Sequence, residues 1–80
     1  MWYYITKYSF DPSKPVFGPW KSEEDAWEDM ERMADKEYRI DTDENGWRTR
    51  IIKNKECGEI VIKNFFTNHT DVTEFFLFEI

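Results

Sequence analysis

Only one stretch of this chain repeats its apolar residues at helical spacing. Ala26, Trp27, Met30, Met33, Ala34 and Tyr38 recur at three- and four-residue intervals and form a single stripe. Ser22 stands where an N-cap belongs, with Asp25 three residues on in an approximate capping box. Glu23, Glu24 and Asp25 suit the positive end of a helix dipole. The spacing predicts a helix over Glu23–Glu37. The other patterned segments read as strands, so this helix has a sheet to bury its stripe against.

Trp2 to Phe10 is almost entirely β-branched and aromatic, a strand by composition. Trp2, Tyr4, Thr6 and Tyr8 fall on one face, and Tyr3, Ile5 and Lys7 on the other. Asp11 to Lys21 holds all three prolines and reads as a stiff connecting loop. Tyr38–Thr42 and Trp47–Lys53 are strand-like and are joined through Asn45-Gly46, the favoured pair for a tight type I′ turn. Glu59–Phe65 follows a second turn at Asn54 to Gly58, and Thr73–Ile80 forms the last strand. Apolar residues on both faces of that last strand, Phe76 and Phe78 against Phe75 and Leu77, mark it as central or as an edge buried by a second copy.

The expected fold is therefore α+β, one domain over residues 1–80. One amphipathic helix packs on an antiparallel sheet of four to five strands, in the order β-α-β-β-β-β. Trp27, Met30, Met33 and Ala34 are expected to meet Ile5, Ile51, Val61, Phe76 and Phe78. The opposite sheet face is too aromatic to be left bare, and a homodimer or a protein partner would cover it.

Eighty residues lie near the lower limit for one hydrophobic core, but an aromatic content of 19% supplies large apolar areas per residue. That composition excludes a disordered chain. The single cysteine, Cys57, allows no internal disulfide. Strand-like sequence from Trp2 onward lacks the pattern of a signal peptide, and no apolar stretch approaches a membrane span. The expectation is a cytoplasmic protein, in which the Asn68-His69-Thr70 sequon is idle.

Between Ser22 and Asn45 stand eleven acidic and three basic side chains, a local net charge of −8 against −6 for the whole chain. From Gly46 to Thr70 the balance reverses, with Arg48, Arg50, Lys53, Lys55 and Lys63 against Glu56 and Glu59. Two surfaces follow. Glu24, Glu28, Glu31 and Asp35 form an acidic stripe along the helix, a docking face for a basic protein partner. Dense carboxylates on a rigid helix can also imitate a phosphate backbone. Arg48 and Arg50 project from one side of their strand among aromatics, the way single-stranded nucleic acid is gripped. A net charge of −6 weighs against nucleic acid, because phosphate neutralisation dominates such binding.

Catalytic patterns fail one by one. Asp41, Asp43, Asn45 and Gly46 reproduce the first half of a calcium loop, but Ile52 stands where the bidentate Glu belongs and Arg48 and Arg50 intrude. Cys57, His69 and Asp71 can be written as a triad, yet Cys57 belongs to a turn and Glu56 and Glu59 oppose its thiolate. One Cys and one His cannot complete a zinc site. With no phosphate-binding glycine loop, the expectation is a chain without catalytic residues, metal or cofactor.

Phe17-Gly18-Pro19-Trp20-Lys21-Ser22-Glu23-Glu24-Asp25-Ala26 resembles the strand exit into a helix of SPOR-type peptidoglycan-binding domains. There a Gly-Pro-aromatic step precedes a capped helix whose Ala faces the sheet. The resemblance covers these ten residues and implies a helix packed on a sheet. The rest of the chain departs from it in charge pattern and in lacking a second helix. In size and acidity the chain is similar to small accessory proteins of phages and mobile elements, some of which inhibit host nucleic-acid enzymes. The expected function is a non-catalytic protein-interaction module. The alternatives are a single-stranded nucleic-acid binder and, behind it for want of a catalytic constellation, a small enzyme.

Overall fold

The computed structural model describes residues 1–9 and 11–80. Five strands and one helix follow in chain order: β1 (Trp2–Tyr8), β2 (Val16–Trp20), α1 (Glu23–Arg39), β3 (Arg48–Asn54), β4 (Glu59–Phe65) and β5 (Thr70–Glu79). They form an antiparallel sheet in the spatial order β2-β1-β5-β4-β3 with α1 on one face, the α+β arrangement expected. β5 is the central strand, the first of the two places its apolar faces allowed. Among the described residues no helix is long and apolar enough to cross a membrane.

α1 starts where its cap directs. The Ser22 hydroxyl accepts from the Asp25 backbone N–H at 3.1 Å, satisfying a donor that the first turn leaves without an intrahelical partner. Ala26, Trp27, Met30 and Ala34 are buried along the stripe, and Trp27, Met30 and Ala34 pack with Tyr4, Ile60, Ile62 and Phe75. Each large side chain so buried contributes roughly 1.5–3 kcal/mol.

The sheet presents the opposite face from the one expected. Tyr4, Ile60, Ile62 and Phe75 meet the helix, while Ile5, Val61, Phe76 and Phe78 point away from it; Ile51 lies on the helix side as expected. β1, β4 and β5 are apolar on both faces, so alternation alone does not choose between them. Polar anchors do choose. The Tyr4 hydroxyl donates to Asp29 at 2.7 Å, and Lys53, register partner of Ile60, pairs with Glu31 and Asp35. Facing the sheet the other way would bury Ile5 under the helix and strand these partners.

Two segments differ from their sequence reading. Val16–Trp20, expected as loop, is strand β2, held by the register Trp2–Trp20, Tyr4–Phe17 and Ile5–Val16. As an edge strand it tolerates Pro19, because one side of an edge needs no ladder donor. Tyr38–Thr42, expected as a strand, is helical instead: α1 runs to Arg39 and continues as a π-helical turn over Ile40–Glu44. The Asn45 N–H reaches back to the Ile40 carbonyl at 3.0 Å and the Trp47 N–H to the Asp41 carbonyl at 2.8 Å. Gly46, at φ 68°, supplies the left-handed residue that such a helix ending requires, so Asn45-Gly46 terminates a helix rather than turning a hairpin. The fifth strand thus precedes the helix. Of the first expected strand, Phe10 lies outside the described residues.

Candidate functional site

The acidic stripe is largely occupied from within. Lys53 Nζ lies 3.0 Å from Glu31 and 2.9 Å from Asp35, and Lys55 Nζ lies 3.1 Å from Glu24. Burial works against the Lys53 charge, but its bonds to Asp35 and Glu31 outweigh that and hold its pKa above the usual value. Among the described residues Glu28 alone of the four makes no ion pair, and it borders a shallow depression with Trp20, Asp25 and Arg32. The stripe therefore clamps the helix to the β3–β4 hairpin through exposed pairs worth about 0–1 kcal/mol each. Beneath it, Asp29 joins Tyr4 to Arg32. Burial raises the Asp29 pKa, yet the hydrogen bonds from Tyr4 and Arg32 together bring it below the ordinary carboxylate value.

The residues written as a triad stand apart. Cys57 is exposed in the β3–β4 turn, where its N–H donates to Asn54 Oδ1 at 3.3 Å. His69 lies in the β4–β5 turn, at the other end of β4, stacked on Phe66 at 4.8 Å with Nε2 3.6 Å from Asp71. The calcium half-loop also comes apart: Asp41 is buried while Asp43 and Asn45 are exposed. Among the described residues no group of three or more His, Cys, Asp or Glu is arranged to hold a metal ion.

The uncovered face of the sheet is the second surface. Register places Tyr3 beside Phe78, then Val16, Ile5, Phe76 and Glu59 in one row across the strands, then Lys7, Glu74, Val61 and Ile52 in the next. Lys63 and Arg50 follow, then Phe65 and Arg48. Val16 is 56% exposed, Ile52 45% and Phe65 37%, while Ile5, Val61, Phe76 and Phe78 are half-buried by their neighbours alone. Tyr3 and Phe78 stack at 5.6 Å, and the Arg48 guanidinium lies 5.8 Å over the Phe65 ring.

Arg48 and Arg50, read from the sequence as a face, are thus the basic end of an apolar band. The band's own members, Ile5, Val61, Phe76 and Phe78, were read as core. The parity of Tyr4 could have identified them, since its hydroxyl needs a partner and the helix carries the acids. Comparison with protein families, with curated proteins and with solved structures gives no match, so the function rests on this geometry.

Proposed function

We propose that this domain is a non-catalytic protein-interaction module that works as a homodimer, two copies stacking their uncovered sheet faces. One observation carries the reading: a five-stranded sheet with a helix on one face and an apolar band on the other. Strands about 4.8 Å apart and seven residues long at about 3.3 Å each give a flat footprint of roughly 550 Å². Side-chain relief brings that toward the ~800 Å² per partner of a standard interface.

One charge pair suits a two-fold axis at Val61, while Glu74 and Lys7, in the same row, would each meet their own copy and must pair with each other within the sheet. Glu59 and Lys63 flank Val61 two residues to either side on β4. An axis at Val61 perpendicular to the strand sets Glu59 of each copy over Lys63 of the other, an isologous pairing. The acidic helices then lie outside, one sheet-packing distance and two helix layers apart, well beyond the Debye length of about 8 Å at physiological salt. The outer surfaces still present Glu28 and its neighbours to a basic third partner. A cytoplasmic setting belongs to the same reading, because Cys57 is exposed and has no cysteine to pair with in its own chain.

Sedimentation equilibrium tests this. Wild type is expected at twice the chain mass. Val61→Glu, which leaves a charge on the open face, is expected at the chain mass with unchanged helical circular dichroism. A wild type that stays monomeric at the highest soluble concentration would remove the homodimer. The cluster of Arg48, Arg50 and Lys63 at one end of the band favours a second reading, single-stranded nucleic acid along that face. Oligonucleotide binding that falls steeply with salt and weakens in Arg48→Ala and Arg50→Ala is the result expected of it.

A further inference from the structure

Below the C-terminal end of α1, on the helix side of the sheet, lies a cleft of about 230 Å³. It exists because the stripe that buries Ala34 changes chemistry over its next two turns. Glu37 and Asp41, three and seven residues on, occupy positions where apolar residues would continue it. The sheet beneath changes in step, from Phe75–Ile60 through Thr73–Ile62 to Asp71–Asn64. Where both layers turn polar the packing opens.

Glu37, Asp41 and Asp71 line this cleft with Asn64, Tyr8 and Trp47, and no Lys or Arg is among its lining residues. Asp41 is only 3% exposed. Asn64, whose Oδ1 accepts from the Thr49 hydroxyl at 2.9 Å, donates to the Asp41 carboxyl group. Asp41 Oδ2 nevertheless has no hydrogen-bond donor among the described residues. An orphaned buried carboxylate oxygen is costly, and such atoms in folded proteins usually mark a missing partner.

From this geometry we infer that the cleft is a binding site for a guanidinium group, as presented by an arginine side chain. The carboxylates lining the cleft, Glu37, Asp71 and Asp41 with its orphaned Oδ2, come from three different segments, and a planar fork of five donors can meet several at once where an ammonium acts as a point charge. Trp47, 40% exposed, offers a ring to the cation's flat face. The titration behaviour agrees. Burial raises the Glu37 pKa and the charge of Asp41 raises it further; burial raises that of Asp41 against the Asn64 bond; burial, Glu37 and Asp11 raise that of Tyr8. A bound cation would favour the ionised carboxylates, so binding should tighten as pH rises through their folded pKa values. His69 Nε2 lies 3.6 Å from Asp71, one of the carboxylates that line the cleft. The cleft and the uncovered face lie on opposite sides of the sheet, so loss of binding at one leaves the other intact.

The test is a ¹H–¹⁵N correlation titration with arginine amide, lysine amide and citrulline amide, the last a neutral isostere. Arginine amide should shift the Trp47 indole and Asn64 side-chain signals saturably. Lysine amide should do so more weakly, and citrulline amide not at all. Asp41→Asn and Glu37→Gln should each bind arginine amide about tenfold less tightly, the loss of one charge-assisted contact. Binding of a Gly-Arg-Gly peptide as tight or tighter points to an arginine in another protein, and preference for the free amide to a small guanidine; both support the site. Equal shifts with citrulline amide, unchanged affinity in both variants, or shifts confined to Glu28 and its neighbours would overturn it.

Discussion

Ile62→Ala is expected to cost about 2–5 kcal/mol of folding stability, as large-to-small changes in a tight core do. A domain of this size holds on the order of 4–12 kcal/mol in total, at roughly 0.05–0.15 kcal/mol per residue. The variant should therefore lose from about a sixth of its stability to all of it, and it unfolds where the loss exceeds the total. Ile62 is fully buried, with Ile51 and Thr73 as its register partners under α1. Val61→Ala, one residue earlier on the uncovered face, should cost about 1 kcal/mol or less in dilute solution, where no second copy covers it. Urea denaturation of the pair reads the sheet's orientation directly. Equal losses, or a larger loss at Val61, would mean that the other face meets the helix.

The second large effect is expected at Gly18. Its φ of 134° lies in a region that L side chains rarely adopt, and a Cβ there would stand 2.8 Å from Tyr3 Cδ1 and 2.9 Å from the Trp2 carbonyl oxygen. A flexible ring could yield; the backbone oxygen of the neighbouring strand cannot. Gly18→Ala combines backbone strain of about 1–3 kcal/mol with displacement of β2 from β1. The displacement matters because β2 carries the rings that enclose Tyr4, Phe17 at 4.9 Å and Trp20 at 5.5 Å. Near-ultraviolet circular dichroism should lose intensity along with the fall in denaturation midpoint. Gly46→Ala is the control: φ is 68°, with nothing within 4 Å of the added Cβ. It should cost only the left-handed strain of about 1–2 kcal/mol, with the aromatic signal retained.

The raised carboxyl pKa values carry a further expectation. Folding favours the protonated forms of Glu37 and Asp41, so their contribution is greatest below the ordinary values of 4.5 and 3.8 and declines as pH rises through the folded ones. Asp41→Asn removes one such group and should flatten that decline, making the variant more stable than wild type at neutral pH. A buried charge kept at a cost to stability is what a binding site for a cation would hold.

Local chemistry was legible without the fold. The Ser22 cap, the stripe from Ala26 to Tyr38, the turn at Asn54 to Gly58 and the two apolar faces of the last strand all follow from near neighbours. Each is decided within a few residues, by a hydroxyl near a free N–H, by 3.6-residue spacing, or by apolar runs with no polar face. They were enough to specify one helix on an antiparallel sheet. Three things were decided only in the tertiary structure. Which sheet face the helix covers depended on Tyr4 meeting Asp29 and Lys53 meeting Glu31 and Asp35, contacts between residues far apart in the chain. Whether Val16–Trp20 is a strand depended on β1 having an open edge for it. Whether Asn45-Gly46 closes a hairpin or a helix depended on where the preceding residues found burial. Alternation and turn preferences are nearly degenerate at these places, and long-range pairing breaks the tie.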